Sequence, residues 1–111
     1  MAFVLKKENT VWWPVTIEMA MNGGKREGIT GQAKFKIPSD DDYGDLKKLS
    51  DIEFLSTVVV DLGEEFKNED GTHLQCTQEN KTRLFKSSLD VRKGFAKAFQ
   101  QIINGEAVEK N

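Results

Sequence analysis

Residues 11–21 read Val11-Trp12-Trp13-Pro14-Val15-Thr16-Ile17-Glu18-Met19-Ala20-Met21, and Asn22-Gly23-Gly24-Lys25 follows. Val11, Trp13, Val15, Ile17, Met19 and Met21 fall at every second position. Successive side chains of a strand point to opposite sides, so this alternation predicts a strand with one buried face. Asn-Gly is a strong short hairpin signal, because both residues tolerate positive φ. Past a charged stretch the alternation resumes at Ile29, Gly31, Ala33, Phe35 and Ile37, with Thr30, Gln32, Lys34 and Lys36 opposite. Pairing the two odd-numbered faces gives an antiparallel hairpin with one apolar side. Pro14 has no N–H, so its strand is expected at a sheet edge there, or paired on one side only.

Pro38 ends the second strand. Ser39 is placed to cap a helix whose first turn holds Asp40, Asp41 and Asp42, where the helix dipole favours negative charge. Ser50 caps a second helix, with Asp51 and Glu53 in its first turn. Ile52, Leu55, Val59 and Leu62 recur along it at helical spacing, and Gly63 is a plausible stop. Val58-Val59-Val60 is β-branched and fits a strand as well, which leaves the end of this element open. Residues 64–75 are polar and contain the turn signal Asn68-Glu69-Asp70-Gly71; Asp61, Glu64, Glu65, Glu69 and Asp70 read as a solvated loop.

Thr77 caps a short helix through Lys86 that buries Leu84 and Phe85. Ser88 starts the last helix. Its apolar stripe is Val91, Phe95, Ala98, Phe99 and Ile102, with Leu89 and Ile103 at the margins and Gly105 at the C′ position. The expected architecture is α+β: an N-terminal antiparallel β-hairpin packed with three to four C-terminal helices. A single domain spans residues 1–105, and residues 106–111 are expected to fray as a flexible tail.

A chain of 111 residues can support one hydrophobic core. Apolar residues make up 38%, with seven Phe and two Trp, a stock that disordered chains lack. The net charge of −2 gives no overall attraction to nucleic acid. Charge is unevenly spread, however. Residues 40–53 hold Asp40, Asp41, Asp42, Asp45, Asp51 and Glu53 against Lys47 and Lys48, whereas residues 81–97 hold Lys81, Arg83, Lys86, Arg92, Lys93 and Lys97 against Asp90. Such asymmetry can dock one copy on the next or tie two segments of one copy together, but two solvated faces of opposite sign account for it most simply. With Cys76 as the one cysteine, no internal disulfide is possible, and a reducing cytosol is the natural setting. The start Met1-Ala2-Phe3-Val4-Leu5-Lys6-Lys7 has too short an apolar run for a signal peptide, and no stretch reaches the length of a membrane span.

Catalytic chemistry has few places to be. His73 and Cys76 are the whole soft-ligand inventory, and two ligands do not make a metal site. A Cys–His dyad needs an activated thiolate and an orienting third group; a small buried filler is the simpler reading of Cys76. Asp40-Asp41-Asp42 with Asp45 lacks the downstream glutamate of an EF-hand, and Gly23-Gly24-Lys25 is too short for a phosphate-binding loop. No cofactor and no reaction is expected. Phe85, Phe95 and Phe99 have core spacing, so the basic 81–97 segment is not expected to form a nucleic-acid surface. Trp12 and Trp13 are adjacent on a strand and must point to opposite faces. Trp13 belongs to the core face. Trp12 is either an interface anchor or a residue covered by helices or by Phe3-Val4-Leu5. An edge strand can also recruit a partner strand. The candidate interaction residues are Trp12, Arg83, Lys86, Arg92 and Lys93.

In order along nearly the whole chain come Trp13-Pro14-Val15-Thr16, the Gly23-Gly24 turn, Phe35-Lys36, the Asp70-Gly71 turn and Thr77-Gln78-Glu79-Asn80. The terminal helix Val91-Arg92-Lys93-Gly94-Phe95-Ala96-Lys97-Ala98-Phe99 follows, then Asn104-Gly105 and a Lys110-Asn111 ending. In this arrangement the chain resembles the tail assembly chaperones of long-tailed bacteriophages. It departs from them in lacking an aromatic near Leu62-Gly63 and in its more β-branched Val58-Val59-Val60 run. The resemblance implies a protein that binds the tape measure protein, helps recruit tail tube protein and self-associates. It further implies residence in the host bacterial cytoplasm and absence from the mature virion. The alternative from another class is a structural minor tail or head–tail joining protein.

Overall fold

The computed structural model describes residues 1–108. Two long strands, β1 (Asn9–Met21) and β2 (Lys25–Ile37), form an antiparallel hairpin. Trp13 faces Ala33, Val15 faces Gly31 and Ile17 faces Ile29, so the odd-numbered faces pair as the alternation requires. The connecting turn is Asn22-Gly23-Gly24, and the left-handed backbone sits at Gly23 (φ 82°) and Gly24 (φ 77°) rather than at Asn22. The charged residues Lys25, Arg26 and Glu27 are already strand, so β2 begins directly after the turn.

Four helices follow: α1 (Asp40–Leu46), α2 (Asp51–Val58), α3 (Gln78–Ser87) and α4 (Leu89–Ile103). Each starts at a hydroxyl that accepts a backbone N–H: Ser39 from Asp42, Ser50 from Glu53, Thr77 from Asn80 and Ser88 from Val91. At the far end of α4, Gly105 takes φ 72°, and the Glu106 N–H reaches back to the Gln101 carbonyl at 2.9 Å. That bond closes a Schellman turn. Residues 106–108 have no regular structure; residues 109–111, and with them the Lys110-Asn111 ending, lie outside the described residues.

The main departure from the sequence reading is a third strand. The second helix stops at Val58, and Val59–Leu62 forms β3 on the far side of β2, giving the order β1-β2-β3. Gly63 therefore ends a strand and not a helix. Val59 and Leu62 are buried while Val60 and Asp61 are exposed, because β3 crosses β2 with a register shift between Lys34 and Phe35. The β-branched run prefers this extended path, where its branches pack on the pleat.

The polar 64–75 segment also contributes to the core. Phe66 and Leu74 are buried, and their backbones bond to each other at 2.9 Å across the Asn68–Gly71 turn. Phe66 reaches the sheet because Gly31 has no side chain: a Cβ there would lie 2.7 Å from the Phe66 ring. α2 and α4 pack on the sheet, α4 chiefly along β1, and α3 packs against these two helices. Phe35, Phe85, Phe95 and Phe99 are fully buried at the centre, with Phe85 and Phe95 edge to face at 5.0 Å. No helix among the described residues is long and apolar enough to cross a membrane.

Candidate functional site

Strand alternation sends Trp12 and Trp13 to opposite faces, and their surroundings differ accordingly. Trp13 is half-buried and donates its indole N–H to Gln101 Oε1 at 2.9 Å, pinning the end of α4 to β1. Trp12 is 45% exposed and lies opposite Lys34 on β2. Its face also carries Thr10, Thr16, Thr30 and Gln32, all exposed, with the Thr16 and Thr30 hydroxyls bonded at 2.9 Å. No described helix covers this face. Phe3, Val4 and Leu5 are themselves exposed and do not shelter the indole. Of the two readings of Trp12, the structure gives the uncovered one.

The sheet edges are a different matter. Pro14 offers no N–H to an incoming strand. The α4 backbone meets β1 at Gly94, so closely that a Cβ there would sit 2.7 Å from the Thr16 carbonyl oxygen. One step further, Arg26 Nη1 donates to the Glu18 carbonyl at 3.1 Å and pairs with Asp90 of α4 at 3.3 Å. On the outer side of β3, Lys81 donates to the Val59 carbonyl at 3.0 Å, and His73 Nε2 lies 2.9 Å from the Leu62 carbonyl. Recruitment of a partner strand, expected for an edge, is thus obstructed along residues 14–18 of β1 and at both ends of β3. These devices protect a sheet against edge-to-edge pairing.

No hydrogen bond joins His73 and Cys76 among the described residues. One His73 ring nitrogen is held at the Leu62 carbonyl, and the other faces the Gln75 amide at 3.5 Å. Burial pushes the Cys76 thiol above its ordinary pKa; Lys81 pulls it down, and Asp61 pushes it up again. A thiol so placed is less nucleophilic, not more. Among the described residues no group of three or more His, Cys, Asp or Glu is arranged to hold a metal ion.

The structure does not gather the basic candidates into one patch. Arg83 bonds to Asn80 Oδ1 of its own helix at 3.1 Å. Lys86 is exposed in the last turn of α3, where it complements the helix dipole. Arg92 is turned inward and donates to the Phe85 carbonyl at 2.8 Å, closing the end of α3. Lys93 is exposed on α4. Trp12 stands on the sheet face opposite the helices, away from all four. The acidic 40–53 and basic 81–97 segments make no ion pair with each other among the described residues; the pairs present are Arg26–Asp90, Lys36–Glu8 and Lys48–Asp45.

Sequence reasoning missed a trench of about 320 Å³ between α1–α2 and α4. Tyr43, Leu49, Phe54, Leu89 and Ala96 give it apolar walls. Its one sequence signal was Leu89, marginal to the core stripe and 54% exposed. No protein-family model, no curated protein and no solved structure matches the chain.

Proposed function

We propose that this chain is a protein-binding chaperone of the phage tail-assembly type, which covers apolar segments of the tape measure protein and performs no reaction. The observation that carries the reading is Trp12, a large indole left on a sheet face that no helix covers. Indoles in such positions are favoured anchors for a partner protein. The exposed Phe3-Val4-Leu5 segment adds a second apolar element without a partner in its own fold. Strand edges obstructed along residues 14–18 of β1 and at both ends of β3 fit the same role, since a chaperone present in many copies must avoid uncontrolled sheet extension.

Each contact of this kind is weak. Many copies along one long partner act by multivalency, so that modest sites together keep an aggregation-prone chain in solution. Self-association on that partner, recruitment of tail tube protein, action in the host bacterial cytoplasm and absence from the finished particle all belong to this reading. It is tested by co-expression with a tape measure protein of a long-tailed phage. The expected result is a soluble partner that co-purifies with the chain. A partner that stays insoluble, or stoichiometric presence of the chain in purified particles, overturns the reading; the second outcome assigns a structural tail role instead.

A further inference from the structure

The trench between α1–α2 and α4 has a chemistry of its own. One wall is a second face of α4, distinct from the stripe that enters the core: Leu89, Lys93, Ala96 and Gln100 succeed one another at helical spacing. Ala96 is small and exposed in the middle of this face, which lets another backbone come close. The opposite wall is Tyr43 and Phe54, stacked edge to face at 6.4 Å, with Leu49 beside them. The rim carries Lys47, Arg92 and Lys93 against the single carboxylate of Asp51.

Those three cations lack carboxylate partners among the described residues. Lys47 lies over the Tyr43 ring at 4.7 Å, Arg92 holds a neutral carbonyl, and no ion pair involves Lys93. An apolar floor inside an unneutralised positive rim is complementary to a ligand that is apolar along one line and acidic beside it. The site is a trench open to solvent and not an enclosed cavity, so it matches the width of a helix better than a single acyl chain, which needs enclosure.

We propose that this trench seats one amphipathic helix of a partner protein, with its apolar ridge between α1–α2 and α4 and its flanking carboxylates on Lys47 and Lys93; this rests on the protein-binding reading above. The occupant packs as an added helix, ridge against groove, with Ala96 at the closest approach. Trp12 takes no part in this site, so the chain has two separate contact surfaces on opposite sides.

The test uses the full chain and two labelled peptides of about 18 residues, long enough to form helix on binding. Both carry leucines at i, i+3 and i+7 spacing; one is flanked by glutamates, the other by lysines. Fluorescence anisotropy is expected to show the glutamate peptide binding about fivefold tighter, as befits a few exposed ion pairs. The double variant Lys47→Glu with Lys93→Glu reverses that preference. Ala96→Phe fills the trench and abolishes binding of the glutamate peptide while the circular dichroism spectrum stays that of the parent.

Equal affinity for the two peptides, a preference that survives charge reversal, or no binding of the glutamate peptide overturns the proposal. Saturable binding of oleate without binding of the peptide also overturns it, in favour of an anionic amphiphile. Co-expression keeps the two readings apart. If the Ala96→Phe chain solubilises the tape measure protein as well as the parent does, the trench proposal fails while the protein-binding reading stands.

Discussion

Gly94 of α4 lies directly against the Thr16 carbonyl of β1, and a Cβ at that position would sit 2.7 Å from the oxygen. The helix crosses the strand at the one place in its buried stripe where it has no side chain. In an open helix interior, glycine to alanine stabilises by about 1 kcal/mol. Here the contact is with backbone, which cannot swing aside. Gly94→Ala is therefore expected to destabilise by about 1–3 kcal/mol, the usual range for overpacking. Urea unfolding decides the matter by its sign: a stabilised variant means that α4 does not press on β1.

Several elements were legible from sequence because their causes are local. The hairpin register follows from apolar residues at odd positions on both sides of a glycine turn. The four helix starts follow from a hydroxyl placed three residues before the N–H that it accepts. β3 was ambiguous because Val59 and Leu62 lie three apart, a spacing that fits a helix, while the β-branched run fits a strand. Only the pairing with β2 separates the two. Phe66 was lost in polar surroundings because its place depends on Gly31, more than thirty residues away in sequence, and Leu74 is paired to the Phe66 backbone.

The candidate surface divides in the same way. Adjacency of Trp12 and Trp13 fixed their opposite directions, and burial then told them apart. Arg92 was placed among the exposed cations because nothing local reveals that its acceptor is the Phe85 carbonyl. Edge closure by Arg26, Lys81 and His73 was equally invisible, since each of these side chains binds a backbone carbonyl on another segment. Side chains that serve the backbone of a distant segment leave no local motif.

Lys81 joins α3 to the junction of α2 and β3 by donating to the carbonyls of Ser56 at 2.6 Å and Val59 at 3.0 Å. Replacement by methionine keeps the stem and leaves both half-buried carbonyls unmet. A loss of about 2 kcal/mol is expected, the scale of charged hydrogen bonds. Lys81→Arg retains part of it. A Lys81→Met chain as stable as the parent in urea rules out this clamp.

Ser56 is buried, and its hydroxyl has no hydrogen-bond partner among the described residues. Removing an unpaired buried hydroxyl relieves a desolvation penalty, and alanine is the better helix former. Ser56→Ala is expected to stabilise by about 0.5–1.5 kcal/mol, visible as a raised Tm. A fall in Tm means that the hydroxyl has a partner in solution.

Glu65 and Asp70 both carry acid sensitivity in the 64–75 segment, each held below its ordinary pKa by hydrogen bonds, and Glu65 is the one that ties the segment to β2. Glu65 Oε1 accepts the Gln32 N–H at 3.2 Å, and that bond, with a lesser one to its own N–H, holds its pKa below the ordinary 4.5. A depressed carboxyl stabilises the fold fully above its unfolded pKa and loses that contribution as pH falls through the folded one. Glu65→Gln should therefore flatten the stability curve on its acid side while changing it little in shape near neutrality. Parallel curves for parent and variant below pH 4.5 exclude this linkage.

Trp12 and Trp13 give the sharpest separation of folding from binding. Trp13→Ala removes a half-buried ring and the bond to Gln101, and is expected to destabilise by about 3 kcal/mol, at the low end for losing a buried aromatic. Trp12→Ala removes a ring already 45% exposed and should change stability by less than about 1 kcal/mol. On the proposed chaperone reading its effect falls on the partner: co-expressed tape measure protein should lose solubility, although the Trp12→Ala chain itself stays folded. Emission makes the assignment independent, because the spectrum left by Trp12 in a Trp13→Phe chain should be redder than that left by Trp13 in a Trp12→Phe chain. If Trp12→Ala leaves partner solubility unchanged, the open sheet face is not the binding surface.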